Sequence, residues 1–170
     1  KYAPLYKYAA GRAFASAVLY VVGDVTDWTA FGAALLAKML GNQEAVYALQ
    51  EVTTDAQLVP TRGTDWGDNG VWRSLHNHSW TATHRDVNNT WDQLNQKVYQ
   101  ASEIIDSRSN ASAEIVAQAK FYRAFNMYLV MDMYGQVPFR NVGDGPDVIP
   151  SVLSRTEAYD FVEQDLSRML

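Results

Sequence analysis

Apolar residues return at helical spacing through most of the second half of the chain, and the pattern is densest over residues 113–139. Ile115, Ala119, Tyr122, Phe125 or Asn126, and Leu129 recur every three or four positions, while Val116, Phe121, Ala124, Tyr128 and Met131 fill a neighbouring stripe. Most of the circumference is therefore apolar, and such a helix is expected to be wrapped on several sides. Ser112 stands at the N-cap position with Glu114 in the first turn. At the far end Gly135 suits the left-handed position after the last turn, and Pro138 bars a restart.

The other segments carry weaker versions of the same signal. Residues 4–22 open with Pro4 and place Leu5, Tyr8, Ala9, Arg12, Ala13, Ser16 and Leu19 at helical spacing, which predicts a first helix. Gly23, Asp24 and the 26–28 stretch interrupt it. Asp27 or Thr29 is placed to cap a second helix over about residues 30–40, closed by Gly41-Asn42. Residues 44–52 are short and apolar, and Ala45, Leu49 and Val52 make a helical face, although a strand is equally compatible. Residues 58–69 change composition to Pro60, Gly63 and Gly67 among Thr, Asp and Asn, followed by Gly70, which predicts a long loop.

A turn or two of helix is expected over 71–79, with Trp72, Leu75 and His76 on one side, followed by loop over 81–89. Asn89 or Thr90 then caps a helix over 91–105, whose seam is Trp91, Leu94, Val98, Ala101 and Ile105. The turn at 107–110 is short, so this helix and the long one should form an antiparallel pair. Residues 140–150 read as loop. A last helix is capped by Ser154 or Thr156, with Tyr159, Val162 or Glu163, and Leu166 turned inward.

Composition narrows the function classes. The 170 residues are 48% hydrophobic, enough for a real core. The net charge is −5 and the 14 Lys and Arg residues are scattered, so no basic stripe is available for a phosphate backbone and no nucleic-acid partner is expected. With no cysteine there is neither a disulfide nor a thiolate metal site. The longest uncharged run near the start, 13–23, is shorter than the roughly 20 apolar residues that span a bilayer. Lys1, Lys7 and Arg12 before that run mimic a signal peptide, but no small-residue cleavage site follows before Asp24.

The most informative polar stretch is R-G-T-D-W-G-D-N-G, residues 62–70. It sets a guanidinium (Arg62), two carboxylates (Asp65, Asp68), an indole (Trp66) and an amide (Asn69) among glycines, with Trp72 following. Those groups suit a neutral sugar: an aromatic face stacks on the pyranose ring, and planar polar groups bind vicinal hydroxyls in pairs. The competing reading has Arg62 and Asp65 pin the loop while Trp66 is buried. Trp72, at helical spacing with Leu75, also reads as core; Trp80 is a further aromatic at the flank, Trp91 is structural in its helix seam, and Trp28 sits in an early turn.

His76, His78 and His84 lack an acidic partner at metal-ligand spacing, and no metal or other cofactor is expected. Asp144, Gly145 and Asp147 lack the alternating oxygen ligands of an EF-hand and read as a solvated turn. Asp65 and Asp68, three residues apart in one loop, are badly placed to flank a glycosidic bond from opposite sides.

Three stretches together resemble the SusD/RagB family. A-Q-A-K-F-Y-R-A-F-N-M-Y-L-V-M-D-M-Y-G-Q-V-P-F, residues 117–139, is similar to that family's helix and following Y-G-x-V-P segment. Residues 53–80, T-T-D-A-Q-L-V-P-T-R-G-T-D-W-G-D-N-G-V-W-R-S-L-H-N-H-S-W, resemble its loop, and 88–106, N-N-T-W-D-Q-L-N-Q-K-V-Y-Q-A-S-E-I-I-D, its next helix. The resemblance implies a mainly α fold of tetratricopeptide-like helical pairs with long irregular loops, although the 34-residue repeat is not legible.

It further implies a non-enzymatic, surface-exposed outer-membrane lipoprotein that captures a glycan and delivers it to a SusC-like TonB-dependent transporter. The lipid anchor would lie outside these residues, which would form the N-terminal portion of a longer chain. On this reading Arg62, Asp65, Trp66, Asp68, Asn69 and Trp72 contact the ligand. The alternatives are a helical-repeat module that binds only protein and, last, a helical glycosidase.

Overall fold

The computed structural model describes residues 45–60, 63–65, 67–144 and 147–167. The helices expected over 4–22 and 30–40 lie outside these residues, as do Trp28, Arg62, Trp66 and Gly145. Of what is described, 64% is helical, which makes the class mainly α; a repeat of helical pairs is not shown. The described residues divide between two compact units, one reaching to Asp92 and the other starting at Gln93.

In the first unit the apolar stretch before Thr53 is helical, ending in a π-helical turn, Ala48–Val52. Ala48 and Val52 are buried against Trp72 and Leu75 of α1, Val71–His76, with Leu49 and Val59 packed at the margin. The entry to α1 is a 3₁₀ turn, Asp68–Gly70, in which Asn69 (φ 54°) and Gly70 (φ 82°) are both left-handed. Asparagine tolerates that region and glycine occupies it without steric cost, so Asn-Gly is locally suited to this corner.

The second described helix, α2, Arg85–Ile105, starts six residues earlier than the expected position 91. His84 explains the difference. Its Nδ1 accepts the backbone N–H of Asp86 (3.2 Å), doing the work of an N-cap side chain, while its Nε2 lies 3.0 Å from Ser74 Oγ and 3.2 Å from Val71 O. An imidazole cap was not among the Ser, Thr, Asp and Asn signals that mark helix starts. Asn89 and Thr90 consequently lie inside the helix. Leu94, Val98 and Ala101 are buried as the spacing predicts; Trp91 and Ile105 are half-buried.

In the second unit the long helix, α3, spans Ala113–Tyr134. Ser112 Oγ accepts from Ile115 N at its start, and Gly135 closes it in the left-handed conformation with its N–H on Met131 O. The last helix, α4, Arg155–Ser167, is capped by a reciprocal pair: Ser154 N–H and Oγ donate to Glu157 Oε2 (2.8 and 2.7 Å), and Glu157 N–H donates to Ser154 Oγ (3.3 Å). Those hydrogen bonds, from the hydroxyl first and the backbone second, hold the Glu157 carboxyl below its ordinary range.

The described residues of 140–150 are loop, as expected, and join two short strands the pattern did not show: β1, Val137–Phe139, pairs antiparallel with β2, Ser151–Leu153, with Pro138 opposite Val152. A two-stranded ribbon has outward edges on both strands, where a proline's missing N–H is no loss. In α4 the inward face is Ala158, Val162 and Asp165, whereas Tyr159 and Leu166 are 58% and 40% exposed.

The rotation of α4 follows from Arg123. Its Nε and Nη2 each lie 2.7 Å from a different oxygen of Asp165, and its Nη1 donates to Ser102 Oγ of α2 (3.2 Å). The guanidinium carbon sits 4.8 Å from the ring centre of Phe161 and 5.9 Å from that of Phe139, and both charged side chains are nine-tenths buried. A bidentate pair desolvated to this degree is strong, and it draws Asp165 rather than Leu166 to the inside.

Replacing Asp165 by Asn should strand a buried guanidinium and cost about 3–5 kcal/mol in urea unfolding, whereas Arg123→Met with Asp165→Leu should lose far less. Equal losses in the two variants would show that the pair does not set the packing. Burial pushes the Tyr122 hydroxyl up from 10.0 to about 12. Its folded-state value exceeds the unfolded one, so its contribution is complete below pH 10 and is lost as pH rises toward 12. Alkaline unfolding should show up to about 3 kcal/mol of lost stability across that window, and Tyr122→Phe should flatten it.

Candidate functional site

Within the glycine-rich stretch between residues 63 and 70, Asp68 makes contacts to both α1 and α2. Trp72 stands one helical turn after it, and its Nε1–H donates to Asp68 Oδ2 at 2.7 Å. The same oxygen is 4.0 Å from Arg85 Nη1, and the Arg85 guanidinium lies over the Trp72 ring, 5.3 Å from its centre. Arg85 also grips the fully buried Asp86 through Nε and Nη2, at 3.2 and 3.3 Å. Loop, α1 and the start of α2 are thereby joined by alternating carboxylates, indole and guanidinium.

The six residues singled out for ligand contact separate by environment. Asp65, Asp68 and Asn69 are exposed, and Asp68 keeps 44% of its side chain accessible despite its bond to Trp72. Trp72 is only 4% exposed and belongs to the core with Leu75. Its ring is enclosed by Ala48, Val52 and Leu75 and covered by Arg85, so it positions Asp68 and offers no face for a sugar to stack on. Arg62 and Trp66 lie outside the described residues.

An aromatic that does reach the surface is Trp80, 39% exposed, with the His78 ring edge-on at 5.3 Å and 65°. His78 is itself anchored, its Nε2 2.6 Å from Thr53 O, and adopts a left-handed backbone (φ 52°). In the sequence Trp80 stood only as a flank to the loop. Its one local signal was its position in a polar stretch, His-Ser-Trp-Thr, with no apolar residue at helical spacing ahead of it to pull it inward.

The histidines have separate structural tasks, His84 as helix cap and His78 as loop anchor, and no group of three His, Asp or Glu side chains among the described residues is spaced to hold a metal. Asp65 and Asp68 stay in one loop. The arrangement presents carboxylates and an amide on a pinned backbone, with a half-open indole nearby in the chain, which is the equipment for reading hydroxyl groups.

Comparison with known families decides the kinship. Residues 26–168 match the family model SusD-like, described as starch-binding and associating with the outer membrane, over most of the chain. The chain belongs to the SusD-like family. No curated protein and no solved structure gives a significant match. Membership ties this SusD-like chain to a family of glycan-binding proteins associated with the outer membrane. Among the described residues no helix is long and apolar enough to cross a membrane.

Trp72→Phe keeps the buried ring but deletes the donor to Asp68. It should cost about 1.5–3 kcal/mol, the usual range for a hydrogen bond to a charged group, and should raise hydrogen exchange over residues 67–70. Trp72→Ala should cost about 3–5 kcal/mol by opening a cavity. Unchanged exchange in the Phe variant would mean that Asp68 is held by something other than the indole.

Proposed function

We propose that this SusD-like chain captures a neutral oligosaccharide at the outer membrane and hands it to a SusC-like TonB-dependent transporter without making or breaking a bond. The family match over residues 26–168 carries the reading. The exposed Asp65, Asp68 and Asn69 support it, with Arg62 and Trp66 of the same loop as further contacts. Trp72 acts from beneath by fixing Asp68. Surface exposure through a lipid anchor, and membership of a longer chain whose later part adds to the ligand surface, complete the proposal.

Hydroxyl recognition by a few side chains gives modest affinity per sugar, so avidity along a polymer is the expected mode. A hydrolytic role is disfavoured because Asp65 and Asp68 share one short loop, while cleavage needs carboxyls on two sides of the scissile bond.

Isothermal titration against a panel of neutral glycans that includes maltoheptaose should detect binding. Asp65→Ala with Asn69→Ala should weaken it roughly tenfold, as expected from losing two modest hydrogen bonds, with unfolding lowered by about 1–2 kcal/mol because alanine tolerates the left-handed backbone of residue 69 less well than asparagine. Absence of binding across the panel would sink the glycan reading. Binding unchanged in the double variant would move the site off this loop.

A further inference from the structure

The pattern of α4 predicts Tyr159 and Leu166 inside, yet both are exposed, and their position relative to α3 gives them a use. Two ion pairs fix the register of these helices: Arg123 with Asp165, and Asp132 with Arg155 at 3.5 Å. Nine residues forward on α3 correspond to ten backward on α4, so the helices run antiparallel and Tyr128 comes level with Tyr159. Tyr128 is 47% exposed and Tyr159 58%. One helical turn further along, at 128 plus four and 159 minus four, stand Asp132 and Arg155, both exposed and already joined across the two helices.

We propose that this edge of the α3/α4 pair is a second carbohydrate-binding surface, separate from the glycine-rich loop, with Tyr128 and Tyr159 as stacking rings and Asp132 and Arg155 as hydroxyl-reading groups. The proposal rests on the glycan-binding reading above. Helices in contact lie about 8–10 Å apart, so two rings level on neighbouring helices suit an extended oligosaccharide laid across the pair better than a single sugar. The ion pair supplies planar donors and acceptors side by side, the arrangement that matches vicinal hydroxyls.

The size of the patch favours a sugar over a protein. A stable protein interface takes roughly 800 Å² and 20–30 residues from each partner. Two half-exposed tyrosines, one ion pair and Leu166, even with the exposed Val148, Ile149 and Val152 of the same unit, make eight side chains and fall well short of that. Stacking on an exposed ring needs only the ring face, and the bound polar edge stays wet.

The test is an NMR titration of the full chain with maltoheptaose in three forms: the parent, the loop variant Asp65→Ala/Asn69→Ala, and Tyr128→Ala/Tyr159→Ala. The tyrosine ring resonances should shift in the parent and still shift in the loop variant. The tyrosine variant should keep loop shifts and lose those along α3 and α4, with affinity down roughly three- to tenfold for each ring removed. Both rings are about half-exposed, so thermal unfolding should fall by only a few degrees.

Shifts confined to the loop overturn this second surface and leave the glycan reading standing. No shift anywhere, with maltoheptaose or with any other glycan of the panel, overturns both. Tyrosine shifts that follow protein concentration instead of sugar identify a protein contact and also overturn it.

Discussion

A single guanidinium organises the second compact unit. Arg123 reaches from α3 to Asp165 on α4 and to Ser102 on α2, beside the packed rings of Phe139 and Phe161. Desolvating it costs several kcal/mol, and only geometry this complete offsets the penalty. Both Asp165 oxygens are engaged at 2.7 Å and three of the guanidinium nitrogens are directed to named acceptors. Because so few arrangements satisfy such a group, it selects one rotation of α4 against α3 where the apolar stripes alone would accept several. The exposure of Tyr159 is a consequence of that choice.

The first unit uses the same device nearer the surface. Asp68, Trp72, Arg85 and Asp86 link a glycine-rich turn to two helices through charge-assisted contacts, and His84 adds the cap that starts α2. A loop with little apolar content cannot be fixed by burial, so its order has to come from polar contacts to elements that are themselves packed. That division of labour leaves Asp65, Asp68 and Asn69 accessible while the backbone beneath them stays defined. A binding loop of this kind loses less conformational entropy on taking up a ligand than a free one does.

What the amino-acid pattern revealed was local. Ser112 and Gly135 announced the two ends of α3, and Ser154, weighed beside Thr156, the start of α4, because caps are made within four residues of the terminus they serve. Leu94, Val98 and Ala101 were legible for the same reason, since a buried seam repeats with the helix. The start of α2 was not, because His84 caps it only by virtue of Ser74 and Val71, which lie 10 and 13 residues away. The β1/β2 ribbon was hidden too: each strand has three residues, too few for alternation to register.

The harder failure, the inward face of α4, shows how apolar periodicity misleads. Tyr159, Val162 and Leu166 make a plausible stripe, and hydrophobicity alone points it inward, yet of the three only Val162 is buried. The deciding residue is Asp165, which reads as solvent-facing until its partner 42 positions earlier is known. A buried charge pair thus overrules an apolar stripe by a mechanism invisible to any local window, and the cost is an aromatic side chain left in water. Such a residue has given up burial free energy of up to about 1.5–3 kcal/mol, and what sets Tyr159 apart from the other exposed apolar side chains is that Tyr128, on the neighbouring helix, faces solvent level with it.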